Sequence, residues 1–246
     1  MSFKLPKEPA RGAHSHLLDI HKSFVHSVQL ERGCSCALVG SGRQLVDFSH
    51  LVAFHREKVD SCLSRDEASD FQWLGMQLAE LRAVVDSCPQ QGPNEERADI
   101  FYHVLTEYTR LIRALISSLD DQESAAREGM TTGMDAVSVS SRLAAKAFTH
   151  LKELYGFQRA FVCGVLSLPD GALPALPARA FADFVINMHQ LRAEQANVRN
   201  VVPGHMLHML SAAFELPPAL AALQEVRARP PTRPPTRPST RPSTCP

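Results

Sequence analysis

The sequence has no net charge: 26 Lys and Arg stand against 26 Asp and Glu in 246 residues. No global field draws nucleic acid or an anion to the chain, so anion selectivity has to come from local arginines. With 12 glycines and three tyrosines it also lacks the recurrent turns and aromatic strands of a β-sandwich. Residues 1–7 hold no apolar core of the signal-peptide type. The longest apolar stretch, from Ala160, breaks at Pro169-Asp170 before it could span a bilayer. A cytoplasmic chain without a membrane span is the expectation. The six cysteines (Cys34, Cys36, Cys62, Cys88, Cys163, Cys245) show neither metal spacing nor a disulfide framework, and reduced thiols packed as small apolar residues are expected. His16, His21 and His26 are five apart and spread around a helix, and His205 and His208 have no acidic or cysteine ligand nearby, so no metal site is expected. There is no Gly-x-Ser-x-Gly elbow, and Gly40-Ser41-Gly42-Arg43 lacks the strand and lysine of a phosphate-binding loop. The chain does not read as an enzyme.

What the chain does have is helical periodicity. Phe71, Leu74, Leu78, Leu81 and Val85 step by three and four, as do Phe101, Leu105, Tyr108, Ile112, Leu115 and Leu119. Cys88-Pro89-Gln90-Gln91-Gly92-Pro93-Asn94 between them stops both helices and predicts an antiparallel hairpin. Further helices are expected near 14–39, 45–64, 134–167, 178–199 and 204–227, with stops at Gly40-Ser41-Gly42 and Pro169-Asp170-Gly171. The fold class expected is all-α, as two antiparallel bundles of the up-and-down four-helix type packed side by side. The internal break falls at Glu128-Gly129-Met130-Thr131-Thr132-Gly133, as a loop or a kink. The domain expected is 14–227. Residues 228–246, an Arg/Pro/Thr/Ser repeat with no large apolar residue, form a disordered tail in this reading.

Two arginines sit inside apolar helical stripes. Arg32 has Val25, Val28, Cys36 and Val39 within two turns, and Arg159 has Tyr155, Val162, Cys163 and Leu166. Both are expected half-buried, and a guanidinium in an apolar layer requires an anionic partner. The fork of a guanidinium matches planar carboxylate oxygens, and it matches planar nitrate too. The alternative is a structural ion pair with Glu31, Glu153 or Asp60. Arg56 is a lesser candidate, with Asp60 one turn on as an i,i+4 partner. Gly33 and Gly156, each costing about 1 kcal/mol against alanine inside a helix, point to close helix approach or ligand access. Arg32 and Arg159 are each followed by a cysteine four residues on and then by a Phe-rich segment, which hints at two similar halves.

Phe24-Val25-His26-Ser27-Val28-Gln29-Leu30-Glu31-Arg32-Gly33 resembles the opening signature of the NIT family of nitrate- and nitrite-sensing domains. Leu51-Val52-Ala53-Phe54-His55-Arg56-Glu57-Lys58-Val59-Asp60 resembles its second signature, and Leu151-Lys152-Glu153-Leu154-Tyr155-Gly156-Phe157-Gln158-Arg159-Ala160 its third, in the family's order. Gln158 stands where the family usually has Glu, and Tyr155 where a small residue is common. The resemblance implies a ligand-binding sensor for nitrate or nitrite that signals by helix-bundle rearrangement. It implies that Arg32 and Arg159 contact the anion; Arg56 stands beside them as a lesser ligand candidate, with Glu31, Gly33, Gly156 and Ala160 as expected supports of the site. No cofactor is implied beyond the anion itself. The partners expected are that small anion, a downstream signalling protein and, as an open option, a second copy of the chain, but no nucleic acid. The rival reading is a helical scaffold or adaptor with structural arginines.

Overall fold

The periodic segments fold as helices α1 (Arg11–Gly40), α2 (Val46–Leu63), α3 (Gln72–Ser87), α4 (Asn94–Glu128), α5 (Ala136–Ser167) and α6 (Ala178–Val201), with a 3₁₀ turn at Leu173–Ala175. This is a computed structural model that describes residues 11–64, 71–128 and 136–202; no strand occurs among them. No helix among the described residues is long and apolar enough to cross a membrane. The break expected at 128–133, the helix expected at 204–227 and the tail at 228–246 fall wholly or mostly outside the described residues.

Local chemistry explains the boundaries. At the end of α1 the Arg43 amide bonds Leu38 O at 2.8 Å and the Gly42 amide bonds Val39 O at 2.9 Å, the paired bonds of a Schellman stop. Gly42 takes φ 58° there, and Arg43 follows it at φ 62°. Arg43 then donates from Nη1 to the carbonyls of Val85 and Asp86, capping the C-terminus of α3. α4 runs well beyond the 101–119 stripe in both directions. Glu95 and Glu96 in its first turn favour the positive end of the helix dipole, and its last turns are polar, so neither extension appears in the apolar period.

α1 is the axis. It packs on α5, α2 and α4, while α6 lies on α5 and α3 on α4. Its buried face (Phe24, Val25, Val28, Cys36, Leu38, Val39) joins Leu105, Tyr108 and Ile112 of α4 in one continuous core. The described residues up to Val202 cluster as one compact all-helical body with a shared core.

Two glycines set how closely α1 and α5 cross. A Cβ on Gly40 would strike the Gly164 carbonyl oxygen, and one on Gly164 would overlap the Phe101 ring of α4. The backbones touch there without intervening side chains. Gly164→Ala should destabilise the protein by about 1–3 kcal/mol through overpacking, read as a lower urea midpoint. An unchanged midpoint would show that the crossing relaxes without cost.

Candidate functional site

Glu31 and Arg32, adjacent on α1, are both fully buried and point to different neighbours. Glu31 faces the first half of the chain. Arg82 of α3 donates to its two oxygens from Nε and Nη2 at 2.7 and 2.9 Å, and the Tyr108 hydroxyl of α4 donates to Oε1 at 2.7 Å. Arg56 Nε of α2 stands 3.7 Å from the same oxygen. Burial opposes the Arg82 charge, but its bonds to Glu31 and Asp60 outweigh that and hold the guanidinium above its ordinary pKa. Burial, then the Glu31 charge, pushes the Tyr108 phenol well up, so it remains a donor.

Arg32 faces the second half. Its Nη1 donates to Glu153 Oε1 of α5 at 2.5 Å and to Thr109 Oγ1 of α4 at 3.0 Å, and its Nη2 reaches Glu153 Oε2 at 3.3 Å. Gln29 Nε2, one turn earlier on α1, donates to the same Oε2 at 2.9 Å. Gly156 makes this possible, because a Cβ there would lie 2.6 Å from Arg32 Nη2. Arg32 Nε is buried without a hydrogen-bond partner. Between α1 and α5, a cavity of about 160 Å³ opens beside Gln29 and is lined also by Lys22 and Lys152.

The sequence reading expected both arginines half-buried, and the structure separates them. Arg32 is fully buried, while Arg159 is exposed. The stripe that surrounds Arg159 is not a core stripe: Leu166 is 73% exposed, and Tyr155, Val162 and Cys163 are half-buried. The buried face of α5 runs instead through Leu151, Leu154, Phe157, Gln158 and Phe161. The two halves are thus not equivalent at their arginines. Ala160 packs in the shared core, and Gly33 is half-buried with open space where a Cβ would stand.

Arg56 does not make the expected i,i+4 bridge. Its Nη1 donates to both carboxylate oxygens of Asp86 on α3, at 3.0 and 2.8 Å, whereas Asp60 accepts from Arg82 at 2.6 Å. These bonds tie α2 to α3. Arg82, Tyr108, Thr109 and Gln29 were missed in the sequence, because each lies on a helix whose periodicity marks it only as surface or core. Glu153 was named there as one of three possible partners of an arginine, and it is the one Arg32 takes. Cys34, Cys36, Cys62, Cys88 and Cys163 are free thiols, as expected, and burial pushes Cys36 up to about 12. No cluster of metal-ligating side chains occurs among the described residues.

Arg159 lies near the cationic groups Lys152, Lys58, His26 and His55 of α5, α2 and α1. His26 is driven below its ordinary pKa by burial first, then by Lys152, Arg159, His55 and Lys58; His55 is lowered by burial and Lys58, against a raising effect of Glu31. Lys152 is lowered by burial and by Arg159. The folded protein therefore binds fewer protons on these imidazoles than the unfolded chain does just below 6.5, so their contribution to stability is intact above that pH and lost as pH falls. The double variant His26→Gln, His55→Gln should flatten the fall in melting temperature on acidification from about pH 7 to 5. Equal slopes in variant and native protein would mean that these histidines are not coupled to the cationic cluster.

No curated protein and no solved structure matches the chain. The family described as nitrate and nitrite sensing matches residues 23–242, nearly the whole chain, and its span includes the Glu31-Arg32 pair, Gly156 and Arg159. An all-helical body with a carboxylate clamped on a buried arginine fork is consistent with that match, and the chain belongs to the nitrate- and nitrite-sensing family.

Proposed function

We infer that this chain senses nitrate or nitrite at the contact of α1 with α5, through exchange of a planar anion with the Glu153 carboxylate on Arg32. The observation that carries the reading is a fully buried guanidinium whose only anionic partner among the described residues is one carboxylate, held across the gap at Gly156. Nitrate presents the same planar pair of oxygens and would satisfy the same fork. The small cavity beside Gln29, flanked by Lys22 and Lys152, gives the anion a cationic place to arrive. Arg159, exposed near Lys152 and His26, adds to the attraction at that face. Arg56, engaged with Asp86, keeps α2 and α3 in register and does not touch the anion.

The signal follows from the exchange. Glu153 is the polar tie from α5 to α1, and an anion that takes its place releases α5 from Arg32 while keeping the buried charge paired. A ligand shifts such an equilibrium only by its differential affinity for the two arrangements. The output passes to a separate signalling protein, and a second copy of the chain is one form that partner could take.

Nitrate should raise the melting temperature of the native protein where chloride and sulfate do not, by the stabilisation of about 2.7 kcal/mol that a ligand at a hundredfold its Kd confers. Arg32→Lys and Arg159→Lys should each remove the effect, the first by loss of the fork and the second by loss of attraction at the entrance. Glu153→Gln leaves a buried charge without its partner, a cost of about 3–5 kcal/mol. Nitrate should restore much of that loss, giving a larger thermal shift in this variant than in the native protein. A Glu153→Gln protein that melts at the same temperature with and without nitrate would refute the exchange.

A further inference from the structure

We propose that the cleft formed by α4, α5 and α6 binds a zwitterionic amino acid that carries a carboxamide side chain. α4 and α6 both lie on α5, and between them run two cavities of about 500 and 320 Å³. Arg113 and Gln190 line both, so the two are lobes of one cleft. The Arg32 node touches this cleft only from behind, through Glu153 in one lobe and Thr109 in the other. The site does not depend on the anion reading.

Three polar groups on the cleft wall have spare charge or hydrogen-bonding capacity, and their chemistry defines the ligand. Arg113 makes no hydrogen bond or ion pair among the described residues, so its fork is open to a carboxylate where the lobes meet. Glu194, in the larger lobe, accepts only the Asn197 amide at 3.2 Å and has no cationic partner among the described residues, which suits an ammonium group. Asn187, in the smaller lobe, is 1% exposed, and neither its Oδ1 nor its Nδ2 has a partner. A buried amide left this way costs about 1–3 kcal/mol for each unmade bond. Both polar atoms are covered in the free protein, so Asn187 would have to turn into the lobe for a carboxamide to satisfy them together, as a donor and an acceptor side by side.

The spacing fits one small molecule. Asn187, Gln190 and Glu194 stand at i, i+3 and i+7, on one face of α6 and about 10 Å from end to end. The other acids of the cleft are already occupied. Glu153 holds Arg32, Asp120 holds Lys146 at 2.8 Å and His150 at 3.2 Å, and Asp183 accepts the Tyr102 hydroxyl. An amino acid with its carboxylate on Arg113, its ammonium toward Glu194 and its side-chain amide on Asn187 would use each free group once. Glutamate offers Asn187 acceptors only, and methionine offers neither donor nor acceptor of the same strength.

Isothermal titration of the full chain with L-glutamine, L-glutamate and L-methionine tests the assignment. Glutamine should bind at least about tenfold more tightly than either of the others, the effect of one or two hydrogen bonds to a buried group. Arg113→Gln, a change at an exposed position, should weaken glutamine by about tenfold or more through loss of a charge-assisted bond. Asn187→Leu should bring glutamine down to the affinity of methionine without lowering the melting temperature of the free protein, since it removes an unpaired amide. Equal affinities for glutamine and methionine in the native protein, an Arg113→Gln variant that binds glutamine as tightly as before, or a lower melting temperature for free Asn187→Leu would each overturn the site.

Discussion

Two consecutive ionised residues on α1, Glu31 and Arg32, hold the molecule together by pointing in different directions. Glu31 gathers α2, α3 and α4 through Arg56, Arg82 and Tyr108, and Arg32 gathers α4 and α5 through Thr109 and Glu153. Both are fully buried, so neither can fall back on water if its partners move. α4 meets both ties with another consecutive pair, Tyr108 and Thr109. Successive residues of a helix project about 100° apart, which lets a dipeptide serve two sets of neighbours.

Such a core is specific at the expense of stability. Well-packed apolar residues in place of a buried ion pair are often as stable or more so, whereas loss of one partner is severe. In the mechanism we propose, the value of the arrangement lies in the exchange of one tie. Glu31 is fixed by a two-point guanidinium fork and a phenol, while Arg32 is fixed to α5 by a single carboxylate. That asymmetry leaves the contact between α1 and α5 with the fewer polar ties, and a small cavity flanked by Lys22 and Lys152 stands beside it.

The two faces of α5 differ in character. Toward α1 and α2 it presents Lys152 and Arg159 beside His26, His55 and Lys58, a field that favours a small anion and disfavours imidazolium. Toward α4 and α6 it forms the floor of a roomier cleft with both signs of charge and an unpaired buried amide. Glu153 belongs to both, as the anion on Arg32 and as part of the cleft wall. Events on one face are therefore in physical contact with the other.

By itself the sequence determined the helices, because apolar residues at three-and-four spacing and Pro or Gly punctuation are local properties. α1, α2, α3, α5 and α6 begin and end close to where that spacing places them, and the Gly42 stop follows from backbone freedom at one residue. The ordered Glu31-Arg32-Gly33, Arg56 and Gly156-to-Ala160 motifs also carried the family. Which partner each charge takes was decided only by tertiary structure. Arg56 bypasses Asp60, four residues along its own helix, for Asp86, and Asp60 goes to Arg82, because the packing of α2 on α3 brings those groups closer than the helix does. Arg32 and Arg159 looked alike in sequence, yet one lies in the core and the other in solvent. An apolar stripe records that a face is covered, but the depth of each position along it depends on where the neighbouring helices cross, and here that crossing is set by Gly40 and Gly164.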